Sequence, residues 1–452
     1  MKNPETKIST PPLAYLLFAL VPLLIIRLVL LAKGPVGLFG YDYGFYLFAA
    51  THLNPLSASG WLVALWGGYS NPLFYAAKLF FIPPNILINE FYLFFSPLLA
   101  LSFYWLFGNN KKSALFAVLL CAGSLIQTES YSMFLWKSWA AMPFLLLAIK
   151  FYQEKKWNGL IFSALAVALT HRTTLIVLLL SLAASYLTEQ ILDKKYRKIT
   201  LPLAAGLALT LAVIFIPHLK SVVGELLQNK NDSVRTGLFL DGQNLFLLFW
   251  PYLLLALPGI YLSFKKRGSL TATVFSLVCL AWFLLKLPFY RRFLIYLDLS
   301  LIYYGAYFLG QIDYKHWGKK LGIALVLLFL FYLNFQFTAA KQPLISRAEI
   351  EEIKNFNQPG AFILATSADD APWLLGFSNN ARLGAPGLLE DPNSYEDWQN
   401  FWQGQNEIQF ISHYPRPLFF YQRSYRLQSQ FLQQCLIPVS ENFFRYNYKC
   451  SD

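Results

Sequence analysis

Long apolar runs separated by short polar breaks dominate this chain. Runs of spanning or near-spanning length fall at 13–32, 86–107, 113–127, 132–150, 158–170, 172–188, 199–216, 244–263, 269–287, 293–310 and 320–338. A backbone in hydrocarbon must satisfy its N–H and C=O groups internally, so each run predicts a helix. The runs 113–127 and 158–170 fall short of the roughly 20 residues that cross a bilayer. They either borrow flanking residues or end in a protein-lined cavity. No convincing small-residue cleavage site follows Leu13 to Ala32, which reads as a retained signal anchor. The pattern predicts a polytopic α-helical membrane protein with about eleven transmembrane helices.

Two stretches break the pattern. Residues 33–85 are rich in Gly, Pro, Trp and Tyr, with Phe74, Tyr75, Leu79 and Phe80 at helical spacing. They predict a first outer loop with short helices lying in the membrane interface, or a further partial span. From Lys341 the composition turns polar. Ile345–Phe356 is charged and amphipathic, and Ala361–Thr366 predicts a buried strand. Pro372–Phe377 predicts a turn or short helix, and Pro417–Tyr421 and Phe443–Tyr448 further strands. Two domains follow: a transmembrane domain over 1–338, including the loop 33–85, and a small α/β domain over 339–452. Trp373, Trp398, Trp402, Tyr421, Tyr425 and Gln428 give that tail a composition suited to stacking on sugars or to membrane contact.

Only 13% of residues are charged, about half the proportion in soluble domains, so lipid is the expected solvent. The net charge of +13 does not indicate nucleic acid binding, because the basic residues cluster between apolar runs. The clusters are Lys111-Lys112, Lys155-Lys156, Lys194 to Lys198, Lys265 to Arg267 and Lys319-Lys320. With the N-terminus cytoplasmic, all of them fall in inside loops, as the positive-inside bias requires. The tail then lies outside a plasma or inner membrane. Cys121 and Cys279 fall within apolar runs. Cys435 and Cys450 share the tail, where a disulfide could persist.

The candidate chemistry gathers on the outer side. Asp42, in Gly40 to Tyr46, places a carboxylate among aromatics at the membrane surface, as a general base or as a cap on the next helix. Glu129 is the single acid of the segment after the third span. It could share an acceptor or a divalent cation, Mg2+ or Mn2+, with Asp42, or be a solvated loop residue. His171 and Arg172 lie between two outer helix ends, and Arg291 and Arg292 open the tenth span. Arginine outside runs against the charge bias, and a lipid-linked phosphate or an anionic headgroup would account for it. Asp232, Arg235, Asp241 and the sequon Asn231-Asp232-Ser233 are unspecific. Asp369-Asp370 predicts a helix start before Pro372. No nucleotide-binding loop, dinucleotide fingerprint or zinc-ligand spacing is present.

Together these positions resemble the GT-C superfamily of membrane glycosyltransferases, which includes oligosaccharyltransferases, protein O-mannosyltransferases and aminoarabinose transferases. The resemblance rests on an acid after the first span (Asp42), a second between the third and fourth (Glu129), outer basic residues (Arg291, Arg292) and a tail domain containing Pro372-Trp373-Leu374. A paired acid after Asp42, a DxD-like pair at Glu129 and a WWDYG-type motif are not found. The resemblance implies a polyprenyl-linked sugar donor and a glycan, lipid or protein acceptor. Asp42 would orient or deprotonate that acceptor, while Arg291 and Arg292, with His171-Arg172, would hold the phosphate. A transporter or lipid flippase, and an O-antigen ligase or polymerase, are the competing readings.

Overall fold

The computed structural model describes residues 13–52, 72–108, 110–192, 242–265, 269–287, 290–379, 382–386, 388–389 and 391–450. The expected span 199–216, the loop carrying Asp232, Arg235 and Asp241, and the cluster Lys194 to Lys198 lie outside these residues. The chain divides into two compact units, one formed by Met1–Lys33 and Glu90–Lys341, the other by Gly34–Asn89 and Gln342–Asp452.

The first unit is helical. Among the described residues six helices are long and apolar enough to cross a membrane: Ala14–Lys33, Ile86–Phe107, Thr173–Gln190, Leu248–Lys265, Tyr290–Gln311 and Trp317–Ala340. The expected short run at 113–127 is half of a bent pair, Lys111–Gly123 and Leu125–Ser132, which turns through 54° and would make a seventh span if counted as one. Trp157–Thr170 and Leu270–Leu284 are apolar but shorter. Trp136–Gln153 buries Trp136 and Trp139 completely. Bundle helices with so much side-chain surface covered by protein need less lipid contact, so length and hydropathy alone under-report them.

The second unit is an α/β layer built on a six-stranded sheet of order β3-β2-β1-β4-β6-β5. β1 (Phe362–Ala365) pairs in parallel with β2 (Leu383–Ala385) and with β4 (Leu418–Tyr421). β3 (Leu388–Leu389), β5 (Leu436–Pro438) and β6 (Phe443–Tyr446) add antiparallel edges. Every residue of β1 and β4 is buried, as expected of parallel strands covered on both faces. β5 ends the sheet with exposed Ile437 and Pro438, and a proline blunts such an edge.

The amphipathic segment forms the helix Arg347–Asn355. Ser346 and Glu349 close a capping box at its start, and Ile350 and Ile353 face inward. Pro372 opens the helix Ala371–Phe377, at a position where its missing N–H costs nothing. The segment 33–85 does contain short helices among its described residues, Tyr43–His52 and Pro72–Leu79.

The expected aromatic surface does not form as a whole. Trp373, Trp398 and Tyr421 are fully buried, and Trp398 packs edge-on to Phe401 and Phe410 in the core. These rings build the domain, because a small sheet needs large side chains to fill its covering layer. Trp402 and Tyr425 remain half-buried, with ring centroids 5.8 Å apart. Cys435 and Cys450 are free thiols.

Candidate functional site

In the second unit Asp42 stands at the turn opening the helix Tyr43–His52, and its carbonyl accepts the Tyr46 N–H at 3.1 Å. This helix crosses Ala371–Phe377 at very short range. A Cβ on Gly44 would lie 1.7 Å from the Pro372 carbonyl oxygen, so only glycine permits the crossing. Beside it the Tyr41 hydroxyl donates to the Ala368 carbonyl at 2.6 Å. Burial raises the pKa of that hydroxyl, and the carboxylates of Asp369, Asp42 and Asp370 raise it further. Asp42 therefore shares its surroundings with two acids of the tail.

These acids have different employment. Asp370 is fully buried and accepts from Arg423 Nε at 2.9 Å, Ser424 N–H at 3.0 Å and Ser424 Oγ at 2.6 Å. It does begin the helix Ala371–Phe377, but its carboxylate makes no cap to that helix. Asp369 is exposed and Asp42 half-buried. The cluster stands at the carboxyl ends of β1 and β4, where the chain leaves β1 toward β2 on one side and β4 toward β5 and β6 on the other. Such a switch point is where open α/β sheets leave a crevice.

In the first unit Glu129 is not in a loop, as expected from sequence, but within the helix Leu125–Ser132. Its carboxylate forms an ion pair with Lys341, whose ammonium also lies 4.9 Å from the Phe337 ring centroid. Asp42 and Glu129 belong to different units. Among the described residues no group of three or more His, Cys, Asp or Glu side chains could hold a metal ion. Glu129, already paired with an ammonium, does not fit a divalent cation in this arrangement.

His171 joins the helix Trp157–Thr170 to Arg172–Leu192. Its Nδ1 accepts the Thr174 N–H at 3.3 Å and lies 2.8 Å from Thr174 Oγ1, which lies 2.6 Å from the Tyr296 hydroxyl. Tyr296 is one turn beyond Arg291 and Arg292, which form the half-buried turn Tyr290–Arg292 ahead of the helix Phe293–Gln311. The structure thus brings His171 to the helix that the two arginines open. The side chain of Arg172 lies outside the described residues.

Several polar residues of this unit escaped the sequence reading. Arg27 and Asp298 are buried charges inside spans, and Gln127 and Asn334 are fully buried amides. A charge in the middle of an apolar run is the signal that marks Arg27 and Asp298. Lys341 carried no such signal, since it stands where polar composition begins.

Neither a family model nor a curated protein matches the chain. Among solved structures it is similar to an archaeal oligosaccharyltransferase, AglB from Archaeoglobus fulgidus, determined in complex with an inhibitory peptide and a dolichol-phosphate. The TM-score is 0.52 at 14% sequence identity, and the match covers 89% of this chain and 69% of that one. In fold, the chain is therefore similar to an oligosaccharyltransferase, one of the groups that its sequence resembles.

Proposed function

We propose that the chain is an integral membrane glycosyltransferase that moves a sugar from a polyprenyl-phosphate or polyprenyl-diphosphate donor to an acceptor outside the cytoplasm. The observation that carries this reading is the likeness, over 89% of the chain, to an oligosaccharyltransferase whose structure held a dolichol-phosphate. In the reaction the bond from the sugar's anomeric carbon to the carrier phosphate breaks as a bond to the acceptor forms. Asp42 takes or orients the acceptor proton. Arg291 and Arg292, with His171 and Arg172, bind the phosphate on which charge accumulates. Glu129 is a second carboxylate of the machinery. None of these steps uses a divalent cation. The reading includes about eleven spans, a cytoplasmic N-terminus, a membrane domain over 1–338 and an outer domain over 339–452.

The test is release of the polyprenyl carrier, followed by mass spectrometry with purified protein, polyprenyl-linked sugars and a membrane extract. Release by wild type that disappears in Asp42→Asn is the expected result. One observation favours a second reading as a lipid flippase or transporter: a broken helix beside a buried acid, Asp298, is a common transporter feature. Donor translocation between leaflets of a vesicle without carrier cleavage would establish that reading and remove the first.

A further inference from the structure

The bent pair Lys111–Gly123 and Leu125–Ser132 poses a physical problem. A break inside the bilayer frees carbonyls at the end of the first half and N–H groups at the start of the second. Here side chains answer part of each set. The Tyr252 hydroxyl donates to the Leu120 carbonyl at 2.6 Å, and Asn334 Nδ2 to the Ala122 carbonyl at 2.7 Å. Ser124 Oγ accepts the Gln127 N–H at 3.1 Å and donates its own proton to Asp298 Oδ2 at 2.7 Å. A side chain at Gly123 would meet Tyr252 at 2.9 Å and Leu330 at 3.1 Å, so the break also depends on close approach of two other helices.

The short half is then gripped along its length. Gln127 Nε2 donates to Asp298 Oδ2 at 2.9 Å and to the Ile295 carbonyl at 3.1 Å. Thr128 Oγ1 accepts from Asn334 Nδ2 at 2.9 Å and from Arg27 Nη1 at 3.4 Å, while Arg27 Nε holds Ser96 Oγ at 2.9 Å. Trp139 Nε1 donates to Ser130 Oγ at 3.2 Å. Tyr131 stacks on Tyr92 at 4.5 Å, with the Arg27 guanidinium 4.0 Å from its ring centroid. Of the residues Leu125–Ser132, all but Glu129 are buried. A continuous helix would need none of this. The buried charges and amides are spent on one result, a short platform whose single partly exposed side chain is Glu129.

We propose that Asp298, Asn334 and Arg27 are positioning residues for Glu129, holding the broken helix so that this carboxylate keeps one place and one direction. The proposal rests on the reading above, in which Glu129 belongs to the transfer machinery. Misplacing a reactive group by about 1 Å can cost about a hundredfold in rate. Asn334→Ala, which frees the Ala122 carbonyl and Thr128, should therefore lower kcat about 10- to 100-fold, with KM within about 3-fold of wild type.

A double-mutant cycle separates positioning from general support. In a Glu129→Gln background the same Asn334→Ala change should cost less than about 3-fold, because its effect acts through the carboxylate already removed. An equal loss in both backgrounds overturns the proposal. Asp298→Asn, which keeps an acceptor for Ser124, serves the same cycle if Asn334→Ala does not fold.

If wild type releases no carrier from any donor, the function fails and the positioning claim is read without it. Glu129→Cys, in full-length protein with Cys450→Ser, is reacted with a charged thiol reagent. Adding Asn334→Ala or Asp298→Asn should change the rate about fivefold or more, as local opening frees the platform. An unchanged rate in folded protein overturns the proposal.

Discussion

Asp42, which shares its surroundings with Asp369 and Asp370, and Glu129, which pairs with Lys341, are held in opposite ways. Asp42 is placed by backbone: a helix start, a glycine crossing and a tyrosine bonded to a carbonyl. Glu129 is placed by side chains drawn from several helices around a break. The difference follows from the solvent. A loop at the strand ends of a sheet can leave backbone groups to water, whereas a broken helix in lipid must answer its own with protein. The first arrangement depends chiefly on main-chain spacing, the second chiefly on side-chain hydrogen bonds.

The largest effect should come from the acid itself. Asp42→Asn should reduce kcat for carrier release by about 10^2- to 10^4-fold, the range for losing a general base. The comparison would break if the amide variant retained full turnover. Next comes the support beneath it. Arg423→Ala leaves the fully buried Asp370 without its cation and should destabilise the second unit by about 3 kcal/mol. Thermal unfolding monitored by tail tryptophan fluorescence measures this, and an unchanged transition would show that Asp370 needs only Ser424.

Lys341→Ala should change carrier release by less than about tenfold, since the pair it breaks is partly exposed. A loss much larger than tenfold would show that the ammonium takes part in placing Glu129.

The smallest effect concerns pH. Burial and three carboxylates hold the Tyr41 hydroxyl protonated above the ordinary tyrosine value near 10. The folded pKa is raised, so the stabilisation is complete below that value and lost as pH rises toward the folded one. Tyr41→Phe should flatten the alkaline limb of stability against pH, and an unaltered limb would place the titrating group elsewhere.

Legibility in the sequence follows the same division. The apolar runs mark the helices because lipid imposes a one-dimensional rule that the sequence can display. Strands β1, β4 and β6 are visible as buried runs, whereas the sheet order is not, since parallel neighbours are set by contacts far apart in sequence. Nothing around Gly44 announces that it will lie on Pro372. Glu129 is visible as a lone acid, but its helix is not, because Gln127, Thr128 and Ser130 look like a polar loop until Asp298, Asn334 and Trp139 are found beside them. Polar residues buried in membrane protein carry the sequence signal of a surface.

Lys33 closes the first span and donates from its ammonium to the carbonyls of Ala339 and Lys341, at the end of the last one. Carbonyls at a helix end are orphaned, and a lysine there satisfies them. A ribosome makes the donor more than three hundred residues before its acceptors. During synthesis the first helix therefore lacks these acceptors until the final one has been made, and the link between the two closes last. A chain truncated before Ala339 lacks that link altogether.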